Sequence, residues 1–332
     1  MSQDSGLFVI SIDFELYWGV RDLYSLEEYR RRFGRERSLI PDTLALFARN
    51  GIHATWATVG LLFFESKGEM LASLPIDKPG YVDDGLSPYD HLASSGIGDA
   101  EADDPDHFAP SLIRLIQETP YQSISTHTFS HYYCQEEGQT EEQFQADLEA
   151  AAAIADKRGL RLESIVFPRN QMNERYLQVL RRLNIGVYRG NPSHWLYRRG
   201  YSTGDPPLRR ALRLADTYFN LSGYHCYPLQ SYGETEPINI PASQFLRSYS
   251  TALKHLEPLR IKRIKDAMTY AAKRGQVYHL WWHPYNLAEG GSANMAVLEQ
   301  IVEHFGKLRD RYGMRSANME EAASLAFKQA GH

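Results

Sequence analysis

Residues 7–15 read Leu7-Phe8-Val9-Ile10-Ser11-Ile12-Asp13-Phe14-Glu15, a short apolar run that ends in two acids. A run rich in branched and aromatic side chains predicts a buried strand. Asp13 and Glu15 are separated by one residue, and alternate residues of an extended chain share a face. Both carboxylates can therefore point into one pocket at the carboxyl end of the strand. Similar runs recur, at 53–60, 121–126, 163–167, 186–188 and 276–282. Between them lie helical patterns over 24–50, 61–74, 140–158, 172–183 and 293–311. Gly51 stops the first of these, and Thr140 with Gln143 writes a capping box that opens the third, which Gly159 closes. Strand alternating with helix predicts a parallel sheet or an α/β barrel with right-handed crossovers.

The 332 residues suit one such barrel carrying insertions, read as a single catalytic domain over 1–332. Two stretches break the alternation, about 75–110 and about 191–241, both rich in turn residues. Long connections in a compact domain are usually functional, so both are expected near the mouth of the active site. The net charge of −5 gives no electrostatic footprint for nucleic acid or an anionic membrane. Cys134 and Cys226 are too few for a disulfide framework and are read as reduced thiols. The start, Met1-Ser2-Gln3-Asp4, has no basic segment, and the apolar run behind it is broken by Asp13. No stretch approaches the ~18 apolar residues of a membrane span. These features lead us to expect a soluble, cytoplasmic protein.

Four groups of chemistry-bearing residues follow expected strands, which is where α/β barrels keep their catalytic groups. They are Asp13 and Glu15, then His127-Thr128-Phe129-Ser130-His131, then Pro168-Arg169-Asn170, and last His283. Two imidazoles four residues apart, projecting from one side of a helical turn, can reach a single cation. With a carboxylate they make an open metal site that leaves room for water and substrate. Each group has a plainer reading: a strand-end Asp caps a helix, a lone His is a hydrogen-bonded structural residue, an Arg pairs with a surface acid. Their convergence on one end of the strands favours a site. The remaining histidines, His53, His91, His107, His194, His225, His255, His279, His304 and His332, have no second ligand at suitable spacing and are read as structural.

Taken together, Ser11-Ile12-Asp13-Phe14-Glu15, His127-Thr128-Phe129-Ser130-His131, Phe167-Pro168-Arg169-Asn170 and Leu280-Trp281-Trp282-His283-Pro284 resemble the motifs of the polysaccharide deacetylase family, the NodB-homology group, in order and spacing from about residue 7 to 285. The resemblance implies a distorted (β/α)7 barrel with two loop-rich insertions. It also implies a divalent metal, zinc in the first instance, and hydrolysis of an N-acetyl group on a sugar. Glu15, His127 and His131 are then the metal ligands, Asp13 the general base and His283 the acid that protonates the leaving amine. The spacing of the two acids leaves their exchange of roles open. The chain departs from the family pattern in two places. Phe14 stands where a second, adjacent aspartate is usual, and Val166 stands where the arginine two residues before the proline is usual. Arg169 is therefore expected to orient Asp13 from the other side. A backbone N–H near Arg169-Asn170 is expected to help hold the oxyanion. Asp216 is a candidate partner for His283.

The leading functional reading is a sugar N-deacetylase acting on a nucleotide- or lipid-linked precursor of a surface polysaccharide. A second reading is an amidohydrolase acting on a small C–N bond of ureide type. A third is a carbohydrate-binding protein whose catalytic set has degraded, motivated by the altered acidic and arginine motifs.

Overall fold

The opening strand β1 (Leu7–Phe14) is buried along its whole length, because it lies between two other strands and has both faces covered. Its side chains divide by parity. Phe8, Ile10, Ile12 and Phe14 join the large core between sheet and helices, while Leu7 and Val9 join a separate cluster. Ser11 and Asp13 continue the row of Leu7 and Val9 toward the carboxyl end. That row is the inside of a barrel, apolar at one end and polar at the other. The computed structural model describes residues 5–93, 96–198, 206–229 and 237–330.

The strands that follow are β2 (Ala54–Thr58), β3 (Gln122–Thr126), β4 (Ser164–Val166), β5 (Val187–Arg189), β6 (Tyr227–Pro228), β7 (Ile238–Asn239), β8 (Gln244–Phe245), β9 (Gln276–Trp282) and β10 (Arg315–Ala317). They form one sheet in the order β6-β9-β1-β2-β3-β4-β5-β7, with β10 beside β1 and β8 beside β9. Every pairing is parallel except β6 with β9. One extended segment closes the sheet. Ile238 and Asn239 pair with β5, the N–H of Ala242 donates to Gly190, and the next residue, Ser243, donates to His279 before Gln244 and Phe245 pair with β9. Counting β7 and β8 as one bent stave, and leaving the short β6 and β10 outside the ring, gives seven, the distorted (β/α)7 barrel that the resemblance led us to expect. The helix Met319–Ala330 plugs the apolar end, where Met319, Ala322 and Ala323 meet Leu7, Val9 and Val277.

The helical pattern over 24–50 resolves into two helices, Leu26–Phe33 and Glu36–Asn50, broken at Gly34-Arg35. The capping box at Thr140 and Gln143 is formed and opens the helix Glu141–Lys157. The 191–241 stretch contains a helix, Pro207–Phe219, that its composition hid. The 75–110 stretch packs against the segments that follow β1 and β3: Trp18 Nε1 donates to the carbonyl of His107, and the Tyr81 hydroxyl accepts the N–H of Tyr133. Cys134 and Cys226 are free thiols. Among the described residues no helix is long and apolar enough to cross a membrane.

Candidate active site

Because the strands run parallel, their carboxyl ends share one rim, and the residues that follow β1, β3, β4, β5 and β9 meet there. After β3 the chain turns at once. Thr128 (φ 61°) and His131 (φ 59°) occupy the left-handed region, so residues 127–131 form a loop and not the helical turn expected from the four-residue spacing. The loop still brings the two imidazoles together, with ring centroids 5.0 Å apart. Left-handed backbone costs a non-glycine residue on the order of 1–2 kcal/mol. Buried Asp147, on the helix Glu141–Lys157, offsets that cost. Its carboxylate accepts the N–H of Phe129 at 2.6 Å, the N–H of Ser130 at 3.2 Å, and the Ser130 hydroxyl. Burial pushes the Asp147 carboxyl up to about 7 against the pull of these bonds. Gly60 admits the loop, since a Cβ there would lie 2.8 Å from Phe129 Cα.

Glu15 Oε2 stands 3.2 Å from His127 Nε2 and 3.0 Å from His131 Nε2. One ligand atom from each of these three buried residues lies within 4.8 Å of the others. His127 Nδ1 donates to the carbonyl of Val166 at 2.8 Å, an assignment that leaves Nε2 with its lone pair toward Glu15. Burial takes His131 down to about 4 despite the attraction of Glu15, so its ring is neutral at pH 7. Glu15 Oε2 and His127 Nε2 are both buried and neither has a hydrogen-bond partner. A carboxylate oxygen and a bare imidazole nitrogen held this close repel unless a cation lies between them. The donor set, two imidazoles and a carboxylate, fits a divalent metal of the zinc type. Gly19 makes the space, because a Cβ there would fall 1.9 Å from Glu15 Cδ.

Asp13 is held by an arginine, but not by the one expected. Arg169 sits in a left-handed turn (φ 53°), pairs with Asp22 and lies over the ring of Tyr133 at 4.5 Å. The strand-end turn aims it away from Asp13. Arg189, the last residue of β5, takes that place from across the barrel. Its two terminal nitrogens each donate to one Asp13 oxygen at 2.7 Å. They also donate to Ser11 Oγ and Asn170 Oδ1, both at 2.9 Å, and the guanidinium lies 4.3 Å from the Trp281 ring centre. Burial alone would raise the Asp13 carboxyl, but the Arg189 charge, helped by His127 and His283, holds it below its ordinary value. His279, read from sequence as structural, lies beneath: its Nε2 meets Ser11 Oγ at 2.8 Å, and burial takes it down to about 3. The Asn170 N–H donates to Phe167 and is committed to its own turn, so it is not an oxyanion donor.

His283 closes the ring of residues. Its Nε2 faces Asp13 Oδ2 at 3.8 Å and Glu15 Oε1 at 3.6 Å, while Asn286 Oδ1 lies 3.1 Å from Nδ1. Tyr285 stacks on the imidazole at 4.5 Å, and Trp281 stands edge-on to it at 5.6 Å. Asp216 does not reach His283; it accepts from Arg263 at 2.9 Å and is spent there. Trp281 and Trp282 point to opposite faces, Trp281 into the barrel mouth and Trp282 into the core. A cleft of about 450 Å³, lined by Asp13, Glu15, His131, Arg169 and His283 among others, opens over the group. Asp13, Glu15, His127, His131 and His283 therefore come together as the sequence led us to expect, Arg169 lies at the rim, and Arg189 was missed. The run 186–188 was read one residue short, and an arginine at a strand's carboxyl end is the signal it hid.

Similarity to known proteins agrees with this layout. A family model described as polysaccharide deacetylase matches residues 33–188, which include His127 and His131. No curated protein sequence matches the chain. A structure described as a polysaccharide deacetylase from Mycobacterium smegmatis superposes with a TM-score of 0.61 at 13% identity, covering 99% of this chain and 93% of that one. One described in the same way from Pseudomonas aeruginosa PAO1 gives 0.55 at 13% identity, with 99% and 93% covered. PuuE allantoinase gives 0.55 at 12% identity, with 100% and 93% covered. At these identities the likeness is one of fold.

Proposed function

We propose, from the site and from the match of residues 33–188 to the polysaccharide deacetylase family, that the chain is a metal-dependent hydrolase that removes an N-acetyl or similar acyl group from a sugar, in the making of a surface polysaccharide. The observation that carries the reading is the orphaned pair of lone pairs, Glu15 Oε2 and His127 Nε2, beside His131 Nε2. Glu15, His127 and His131 would hold a divalent cation, zinc in the first instance, which when bound supplies Lewis acidity to an amide carbonyl and lowers the pKa of water.

This chain's own residues supply the proton transfers. Asp13, kept ionised by Arg189, presents Oδ2 to the cleft and takes a proton from the attacking water. Arg189 keeps the carboxylate in one orientation through two parallel hydrogen bonds. His283 gives a proton from Nε2 to the departing nitrogen, since an amine leaves poorly unless protonated. Asn286 Oδ1, placed at Nδ1, keeps the Nε2 side of the ring toward the carboxylates. Trp281, Phe245 and Tyr285 wall the cleft with rings on which a sugar face can lie.

The test pairs metal analysis with product analysis. The purified protein is expected to carry one divalent ion per chain, to lose it in His127→Ala, and to release acetate from N-acetylated sugars. Asp13→Asn is expected to keep the ion and lose turnover; loss of the ion instead would exchange the roles of Asp13 and Glu15. Because the fold is shared with an allantoinase, ureides are the control. Release of ammonia or carbamate from them, with no acetate from sugars, would replace this reading with a ureide amidohydrolase.

A further inference from the structure

A second cavity, of about 530 Å³, adjoins the catalytic cleft and shares Asn170, Arg210, Phe245 and Trp281 with it. Four arginines line it, Arg210, Arg213, Arg247 and Arg263, and among the described residues no carboxylate does. This is unexpected in a chain of net charge −5. Asp216 neutralises Arg263 at 2.9 Å, and Arg213 donates to the carbonyl of Leu196 at 2.6 Å. Arg210 and Arg247 are exposed and make no side-chain hydrogen bond or ion pair among the described residues. The floor leans the same way. Gln244 and Arg263 are more than nine-tenths buried, and each keeps a donor, Nε2 and Nε, with no partner. One side of the helix Pro207–Phe219 also lines the cavity, through Pro207, Arg210, Ala211 and Leu214. Buried donors without acceptors and free guanidinium groups together complement an anion.

We infer that this cavity binds a phosphoryl group carried by the substrate, so that the enzyme acts on a sugar phosphate, free or as part of a larger conjugate, with the acylated nitrogen over Asp13 and the phosphoryl group between Arg210 and Arg247. The inference rests on the deacetylase reading for the placement of the sugar. The shared wall formed by Arg210 and Trp281 lets one ligand occupy both chambers, and the volume accommodates more than a lone carboxylate.

The experiment compares N-acetylglucosamine with its 1-phosphate as substrates of the metal-loaded protein, and titrates glucosamine 1-phosphate against glucosamine by calorimetry. The phosphorylated sugar is expected to have the higher kcat/KM. In Arg210→Gln and in Arg247→Gln that preference is expected to fall about tenfold each, the size of one lost charge-assisted contact. Glucosamine 1-phosphate binding is expected to weaken by a like factor, and Arg247→Lys is expected to recover part of it, which also controls for folding. Equal kcat/KM for the two sugars, with no difference in binding, overturns the inference and leaves the deacetylase reading standing. Preference for an N-acetylated uronic acid over the 1-phosphate overturns it in favour of a carboxylate. Phosphate-dependent binding that the arginine variants lose, with no acetate released from any sugar, supports the cavity assignment and removes the deacetylase reading instead.

Discussion

The ion pair between Arg189 and Asp13 makes the sharpest demand on the structure. Both side chains are almost fully buried, at 1% and 2% exposure, and joined by two hydrogen bonds of 2.7 Å. Replacing Arg189 with Met keeps much of the volume and the contact with Trp281, but strands the Asp13 charge. Breaking a buried pair from one side costs about 3–5 kcal/mol. Asn170 Oδ1 loses its donor as well, worth about 1 kcal/mol more. The penalty depends on pH with a definite sign. In the wild type, the folded-state carboxyl lies below its ordinary 3.8, so the pair contributes stability at neutral pH that is lost as pH falls below that value. In Arg189→Met, burial is opposed only by His127 and His283 and raises the carboxyl, so the penalty is full at pH 7 and shrinks as the pH is lowered and Asp13 takes a proton. Urea unfolding at pH 7 and pH 5 reads the slope of the variant, and a further point near pH 3 reads that of the wild type. The double variant Asp13→Asn/Arg189→Met completes the cycle and is expected to be more stable than the sum of the singles by at least about 2 kcal/mol. Strict additivity, or a penalty in Arg189→Met that does not change with pH, would refute the claim that this arginine holds this aspartate.

Three further outcomes follow from other parts of the molecule. Gly19→Ala places a methyl where the Glu15 carboxyl lies, and is expected to weaken binding of the divalent ion by tenfold or more while the far-UV spectrum is unchanged; equilibrium dialysis of zinc checks it. Asp147→Ala strands the Phe129 and Ser130 donors, at about 1–3 kcal/mol for each group left unpaired, and is expected to lower both Tm and metal affinity, since the loop carrying His127 and His131 loses its clamp. Glu36 is buried against the Tyr29 hydroxyl, and burial pushes its carboxyl from 4.5 to about 8. Between those values the unfolded chain has lost a proton that the folded one keeps, so stability falls as pH rises, by up to about 1.4 kcal/mol per unit from this group, and levels off above about 8. Glu36→Gln is expected to flatten that part of the profile, and an unchanged slope across pH 5–8 in urea unfolding would show that Glu36 is not its source.

What could be read from sequence, and what could not, divides along the range of the interactions. Strand β9 was legible to the residue, because Gln276–Trp282 is a dense apolar run closed by His-Pro, and parity along it foretold that Trp281 and Trp282 part ways. The set Glu15, His127 and His131 was legible because its members sit at strand ends, a place fixed by local pattern. The geometry of the histidine loop was not. The four-residue spacing also fits a helical turn, and only Asp147, far along the chain, stabilises the left-handed residues that make a loop of it. The short strands at 238–239 and 244–245 carry no periodicity of their own and exist because β5 and β9 offer unpaired edges.

Arg189 and Arg169 show why the remaining gap lies in side-chain direction. Both follow apolar runs at strand ends, and from sequence only Arg169 was expected to serve Asp13. The choice is made by backbone. Arg189 is still in β5, where parity aims it into the barrel together with Val187 at the opposite end of the same row. Arg169 has already entered a turn at φ 53°, which swings it to Asp22 at the rim. In a parallel barrel, then, the last residue of a strand and the first of its loop serve different purposes. The strand residue meets groups across the interior at fixed distance, as Arg189 meets Asp13 from four strands away. The loop residue faces the substrate entrance and is free to vary with it. By this logic the chain can hold Asp13 from β5 without an arginine two positions before Pro168, where Val166 is buried against Leu7 and Val9 in the barrel's apolar end.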